Sequence, residues 1–174
     1  MNSVAKVAVV MTHMFEDVEY TGPAEALRNA GHTLSVISHI KGDTLTGKQK
    51  EVQVKSDAGI DQVNPEDFDA LFIPGGFSPD NLRVDERFVR FVKHFMYTKK
   101  PVFAICHGPQ LLLTAGTVSG HNMTGYKSIH EDLRYAGANV FDEEVVVCEN
   151  LVTSRGPKDI PKFNEAIVNA LKKI

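Results

Sequence analysis

At 174 residues, with 43% hydrophobic side chains and a formal charge of −3, the chain is long enough to bury one full core and carries no cationic excess that would suit nucleic acid. No apolar run approaches the ~18 residues that a membrane span requires, and two cysteines far apart suggest neither a disulfide framework nor a zinc ribbon. The totals predict one domain over 1–174, cytoplasmic with free thiols, without metal or cofactor, and acting on a small neutral or polar substrate.

Lys6 to Met11 is a continuous apolar run of the kind buried on both faces of a parallel sheet, starting too close to the first residue to leave room for a signal peptide. A polar stretch from His13 to Tyr20 follows, and Gly22-Pro23 with Ala24 to Ala30 predicts a helix closed by Gly31. Thr33 to Ser38 reads as the second strand. Turn signals at Gly42-Asp43 and Gly47-Lys48, with Val52 and Val54 alternating against polar neighbours, predict a small hairpin excursion between Lys41 and Asp61. Asn64-Pro65 opens a short helix through Phe68, and Ala70 to Ile73 is the next buried strand, ending at Pro74-Gly75-Gly76.

Val84, Phe88, Phe91, Val92 and Phe95 then recur on one face of the clearest helix in the chain. Val102 to Ile105 is a strand that runs into Cys106. After a helix ending near Gly116, Val118 to Tyr126 predicts a short strand plus loop, and Ser128-Ile129-His130-Glu131 has the form of a capping box for a helix ending at Gly137. Val140-Phe141, Val145 to Cys148 and Leu151 to Thr153 read as strands, with Cys148 buried in its valine run. Ile160, Phe163, Ile167, Ala170 and Leu171 mark a C-terminal amphipathic helix. The alternation of strand and helix predicts an α/β fold, a doubly wound parallel sheet with helices on both faces.

The chemistry concentrates where strands end, because ligands of open α/β sheets bind outside the carboxyl ends of the strands. Cys106 sits between an apolar run and a helix start, with Ala104 two residues before and Gly108 two after, the layout of a nucleophile elbow. A helix start behind the thiol favours its thiolate. Taken alone, Cys-His-Gly fits a small buried residue as well as a nucleophile. Two other strand ends supply Glu16 and the backbone amides of Gly75 and Gly76. A carboxylate, a glycine-lined donor loop and a thiol resemble an acid, an oxyanion hole and a nucleophile. A carboxyl packed beside a thiolate is pushed toward its protonated form and can donate. The remaining histidines have no metal-ligand spacing, and His121 and His130 read as surface residues.

Phe15-Glu16-Asp17-Val18-Glu19, Pro74-Gly75-Gly76, Ala104-Ile105-Cys106-His107-Gly108-Pro109-Gln110 and Ser154-Arg155, with Thr46-Gly47-Lys48, Val63 to Glu66 and Phe68-Asp69-Ala70, resemble the PfpI-like intracellular protease/amidase branch of the superfamily that includes the Parkinson-associated deglycase. The resemblance covers nearly the whole chain. It implies a flavodoxin-like three-layer α/β/α sandwich, Cys106 as nucleophile with Glu16 hydrogen-bonded to it, and His107 as a triad member whose amide joins the oxyanion hole. It also implies Tyr126 in the pocket wall and a homo-oligomer in which an acid from a neighbouring subunit orients the histidine. The matching position is Asp80, where protease-like members have glutamate, and an aspartate in a surface loop is an equal reading of it. The function implied is a cysteine-dependent hydrolase or hydratase acting on small reactive carbonyls, their protein adducts or peptides. The alternative is a redox-responsive stress protein whose Cys106 is oxidised to sulfinate.

Overall fold

The computed structural model describes residues 3–174. Its frame is a seven-stranded sheet with two short two-stranded additions. The strands are β1 (Lys6–Val10), β2 (Thr33–Ser38), β3 (Thr44–Thr46), β4 (Gln53–Lys55), β5 (Ala58–Gly59), β6 (Ala70–Ile73), β7 (Val102–Ile105), β8 (Asn122–Met123), β9 (Asn139–Val140), β10 (Val145–Cys148) and β11 (Leu151–Ser154). The helices are α1 (Asp17–Asn29), α2 (Ser78–Leu82), α3 (Glu86–Tyr97), α4 (Pro109–Thr114), α5 (His130–Tyr135) and α6 (Ile160–Leu171).

The main sheet runs in the order β10-β11-β7-β6-β1-β2-β5. All neighbours in it are parallel except β10, which pairs antiparallel with β11 along one edge. Because side chains alternate along a strand, the apolar runs of β1, β6 and β7 feed two cores at once. Ala8, Val10, Leu71, Ile73 and Ala104 face the Phe88, Phe91 and Phe95 stripe of α3 and the leucines of α4. Val7, Val9, Phe72, Phe103 and Ile105 face α1 and α6, where the Phe163 ring lies 6.3 Å from that of Phe72. This is the doubly wound α/β/α sandwich that the apolar runs require, and the expected excursion is the antiparallel β3–β4 hairpin.

Several local expectations are corrected. α1 begins at Asp17 and carries Gly22 and Pro23 inside it, so the second half of the polar stretch, Asp17 to Tyr20, is its first turn. Gly22 is accommodated because a Cβ there would come within 2.9 Å of Ile160 Cγ2 on α6. Val84 lies outside α3 and is 86% exposed; the helix starts two residues later, where the Asp85 carboxylate accepts the Arg87 amide at 3.0 Å. The Ser128 capping box does not form, since Lys127–Ile129 is a 3₁₀ turn and no side chain caps α5. His130 is buried, its Nε2 2.8 Å from the Gly125 carbonyl, and Cys148 is half-buried because β10 is an edge strand.

Candidate active site

β7 delivers Cys106 at the carboxyl end of the sheet, next to the ends of β1, β6 and β11. The residue adopts φ +62°, a left-handed conformation that costs a non-glycine residue about 1–3 kcal/mol and persists only where its surroundings impose it. Those surroundings are identifiable. The Cys106 amide donates to Ser154 O at 2.9 Å, its carbonyl accepts the Tyr126 amide at 2.8 Å, and the Gly108 amide donates to Ile105 O at 2.8 Å. A Cβ on Gly108 would fall 2.6 Å from Ile73 O and 3.0 Å from both Ile105 N and Ile105 O, all backbone atoms unable to swing aside. The elbow expected from Ala104 and Gly108 is present, with Pro109 opening the six-residue α4.

The carboxyl that meets this thiol belongs to Glu19. Glu16 stands at the N-cap of α1 and turns toward the β3–β4 hairpin, accepting from Gln49 Nε2 at 3.0 Å and pairing with Lys48 Nζ at 3.7 Å. The reading that hydrogen-bonded Glu16 to Cys106 is therefore corrected: one turn of helix separates the two glutamates, and the α1 start at Asp17 aims the second one inward. Glu19 is 0% exposed. The Cys106 thiol and the Gly75 amide are the polar groups facing it, although by strict geometry neither carboxyl oxygen has a hydrogen-bond partner. A Cβ on Gly75 would lie 2.3 Å from Glu19 Oε1 and 2.8 Å from Cys106 Cβ, so the glycine is what lets carboxyl and thiol share the space.

Burial dominates the electrostatics of this pair. It pushes Glu19 from 4.5 up to about 8, with Glu16 adding in the same direction and the Cys106 contact opposing it. Burial also pushes the Cys106 thiol up, and a charged Glu19 pushes it further, while the His107 and Gly76 amides pull it down. The thiolate expected from a helix start is thus opposed by desolvation, and α4 is too short for its dipole to prevail. The charge that two such groups can hold is one, and a protonated Glu19 removes the repulsion that a carboxylate would exert on the thiolate.

His107 presents Nδ1 at 3.4 Å from Cys106 Sγ and Nε2 at 3.4 Å from Ser128 Oγ, and its ring stacks on Tyr126 with centroids 4.7 Å apart. Burial, then the charge of Lys48, hold its pKa below the ordinary histidine value, with Asp80 acting in the opposite sense. The ring is therefore neutral at pH 7. Asp80 itself is exposed on α2 and pairs with Arg83 at 3.6 Å, making no hydrogen bond to His107 within the chain. Tyr126, 45% exposed, stands beside His107 at the edge of the site. The structure thus gathers Cys106, His107, Gly75, Gly76 and Tyr126, leaves Asp80 at the rim, and replaces Glu16 by Glu19. The signal for Glu19 lay in the run Glu16-Asp17-Val18-Glu19, whose spacing fits a helical first turn; reading Pro23 as the helix start hid it.

Among the described residues no group of three His, Cys, Asp or Glu side chains could hold a metal ion, and no helix is long and apolar enough to cross a membrane. A groove of about 610 Å³ lies at the opposite end of the sheet, between β10 and α6, and its lining includes no cysteine, serine or histidine.

The sequence pattern of the DJ-1/PfpI family matches residues 5–170. The chain belongs to the DJ-1/PfpI family. General stress protein 18 of Bacillus subtilis (strain 168) is 60% identical over 169 residues, covering 97% of this chain and 98% of that protein. Protein/nucleic acid deglycase 2 of Escherichia coli (strain K12) is 50% identical over 167 residues, covering 95% of this chain and 97% of that one. Among solved structures, a ThiJ/PfpI domain protein from Brachyspira murdochii superposes with a TM-score of 0.92 at 28% identity, covering 99% of each chain. The DJ-1/PfpI sandwich explains why so much of the chain is spent on the elbow's supports.

Proposed function

We propose that this DJ-1/PfpI protein is a cysteine-dependent enzyme acting on small reactive carbonyls or their protein adducts, with Cys106 as nucleophile. The observation that carries the reading is the pairing of a strained elbow thiol with the fully buried Glu19 carboxyl. The relative named as a deglycase supports the substrate class. In the step that follows, the Cys106 proton passes to the neutral His107 Nδ1, the sulfur bonds to the carbonyl carbon, and the carbonyl oxygen takes the proton of Glu19. The Gly76 and His107 amides offset the charge that develops. In a 2-oxoaldehyde adduct the Glu19 carboxylate then takes the C1 hydrogen as a proton while the His107 imidazolium protonates the C2 oxygen; the enediol so formed tautomerises to the thioester of a 2-hydroxy acid, and water hydrolyses that thioester, releasing the acid and returning the Cys106 thiol with no oxidant consumed.

Peptide hydrolysis through the same thiol is the narrower variant. It requires an acid to orient His107, and Asp80 would serve only from a second copy in a homo-oligomer. A second reading, oxidation of Cys106 to sulfinate by two equivalents of hydrogen peroxide, each reduced to water, draws on the protonated Glu19 as a standing donor beside the sulfur and on the relative named as a stress protein. The reaction is placed in the cytoplasm, where both cysteines stay reduced.

Methylglyoxal consumption by purified protein tests the proposal. Cys106→Ala lowers the rate at least ~100-fold and leaves thermal unfolding nearly unchanged. Wild-type turnover in that variant refutes the enzyme reading.

A further inference from the structure

The β3–β4 hairpin is pinned to the head of α1 by a single buried carboxylate. Asp17, 1% exposed, accepts the amides of Gln49 at 2.8 Å, Val52 at 2.9 Å and Glu51 at 3.1 Å. Charge-assisted bonds of this type are the strong ones, and three converge on one side chain. Gly47 makes the approach possible, since a Cβ there would lie 2.3 Å from Asp17 Oδ2. Backbone bonds complete the clamp: Met14 N donates to Thr46 O at 2.8 Å and Lys48 N to Phe15 O at 2.7 Å.

What the clamp delivers is Lys48. Its ammonium stands 5.0 Å from the centroid of the exposed Phe77 ring, next to Gly76, and is tethered to Glu16 by one contact of 3.7 Å with 39% of its side chain exposed. A lysine held this lightly is free to exchange its partner for another anion. Behind the larger effect of burial, its charge pulls the pKa values of both Glu19 and His107 downward, so the ammonium lies within electrostatic range of the reacting groups.

We propose that Lys48, positioned by Asp17 through the hairpin turn, is a selectivity residue that favours carbonyl substrates bearing an anionic group. The class is a 2-oxoaldehyde that also carries a carboxylate. This rests on the enzyme reading above only for its substrate; the charge at the mouth is independent of turnover.

The test therefore begins with alkylation. The thiolate displaces iodide from iodoacetate and from iodoacetamide by the same reaction, and the two reagents differ in charge, so the ratio of their rates with Cys106 reports the local potential. In a Cys148→Ser background, Lys48→Met lowers the iodoacetate-to-iodoacetamide ratio about two- to fivefold at low salt, the range of a partly exposed charge pair, and high salt narrows the gap. Asp17→Asn lowers it comparably, and adding Lys48→Met then changes nothing further. Should Asp17→Asn fail to fold, Gly47→Ala displaces the same turn. An unchanged ratio in Lys48→Met overturns the proposal, and additive effects of the two substitutions overturn the positioning role of Asp17. The second arm uses glyoxylate, which has a carboxylate beside its aldehyde and forms the thiohemiacetal but cannot isomerise to a thioester, as a reversible inhibitor of methylglyoxal consumption. Lys48→Met raises the inhibition constant of glyoxylate more than the KM of methylglyoxal; equal changes refute the selectivity. If wild type consumes no methylglyoxal while the alkylation ratio still falls, the enzyme reading fails and the charge at the mouth stands.

Discussion

Replacing Glu19 by glutamine should change stability in a way that depends on pH, and its size follows from the burial of the carboxyl. Its pKa is raised from 4.5 to about 8 in the fold, so the folded protein holds a proton that the unfolded chain releases. A raised carboxyl pKa gives stability that is complete below 4.5 and falls as pH climbs toward 8. Each pH unit between those limits is worth about 1.4 kcal/mol. At pH 7 the cost of keeping Glu19 protonated is thus about 3 kcal/mol, and above pH 8 roughly 5 kcal/mol.

Glutamine has no proton to take up, so Glu19→Gln should gain that stability relative to wild type while losing carbonyl turnover. Urea unfolding at pH 5, 7 and 9, in a Cys106→Ser background so that the thiol does not titrate, isolates the effect. The difference between the glutamine and glutamate proteins should widen by about 4 kcal/mol from pH 5 to 9, most of it below pH 8, and then level off. Any constant offset reflects how well the amide fits against Gly75 and leaves the slope intact. Parallel stability curves from pH 5 to 9 would refute the argument that a buried, protonated carboxyl faces the thiol.

His32 accepts the Ala5 amide at 3.0 Å through Nδ1, and burial holds its pKa below the ordinary value. Its stabilisation is present above about pH 6.5 and lost as pH falls, so His32→Gln should flatten the fall in unfolding free energy between pH 7 and 5; an unchanged slope would count against the contact. Gly108→Ala should destabilise the fold by about 1–3 kcal/mol, because the methyl meets backbone on β6 and β7, and should slow Cys106 alkylation; a variant that is both stable and reactive means that the elbow is not strained as described. Phe163→Ala, opposite Phe72 in the α1–α6 core, should cost about 3–5 kcal/mol by denaturant unfolding. If Asp80 orients His107 across a subunit boundary, sedimentation at micromolar concentration shows a dimer or larger, and Asp80→Asn impairs peptide cleavage but not carbonyl turnover; a monomer ends that role.

The layer architecture was legible in the sequence because it rests on local regularities. Continuous apolar runs at Lys6–Val10, Ala70–Ile73 and Val102–Ile105 need cover on both faces, and the spacing of Phe88, Phe91 and Phe95 names one covering helix. The elbow was legible for the same reason, since a strand, a thiol and small flanking residues follow one another directly in the chain. The start of α1 was not, because Gly22 and Pro23 are poor helix residues by propensity and are tolerated only by packing against α6. That single boundary decides which glutamate is buried: it turns Glu19 toward Cys106 and leaves Glu16 to hold Lys48. The direction of the thiol's pKa shift likewise came only from the tertiary structure. A helix start is visible in a sequence, but desolvation depends on how tightly β1, β6, β7 and β11 close around the sulfur, and at this site burial outweighs the dipole.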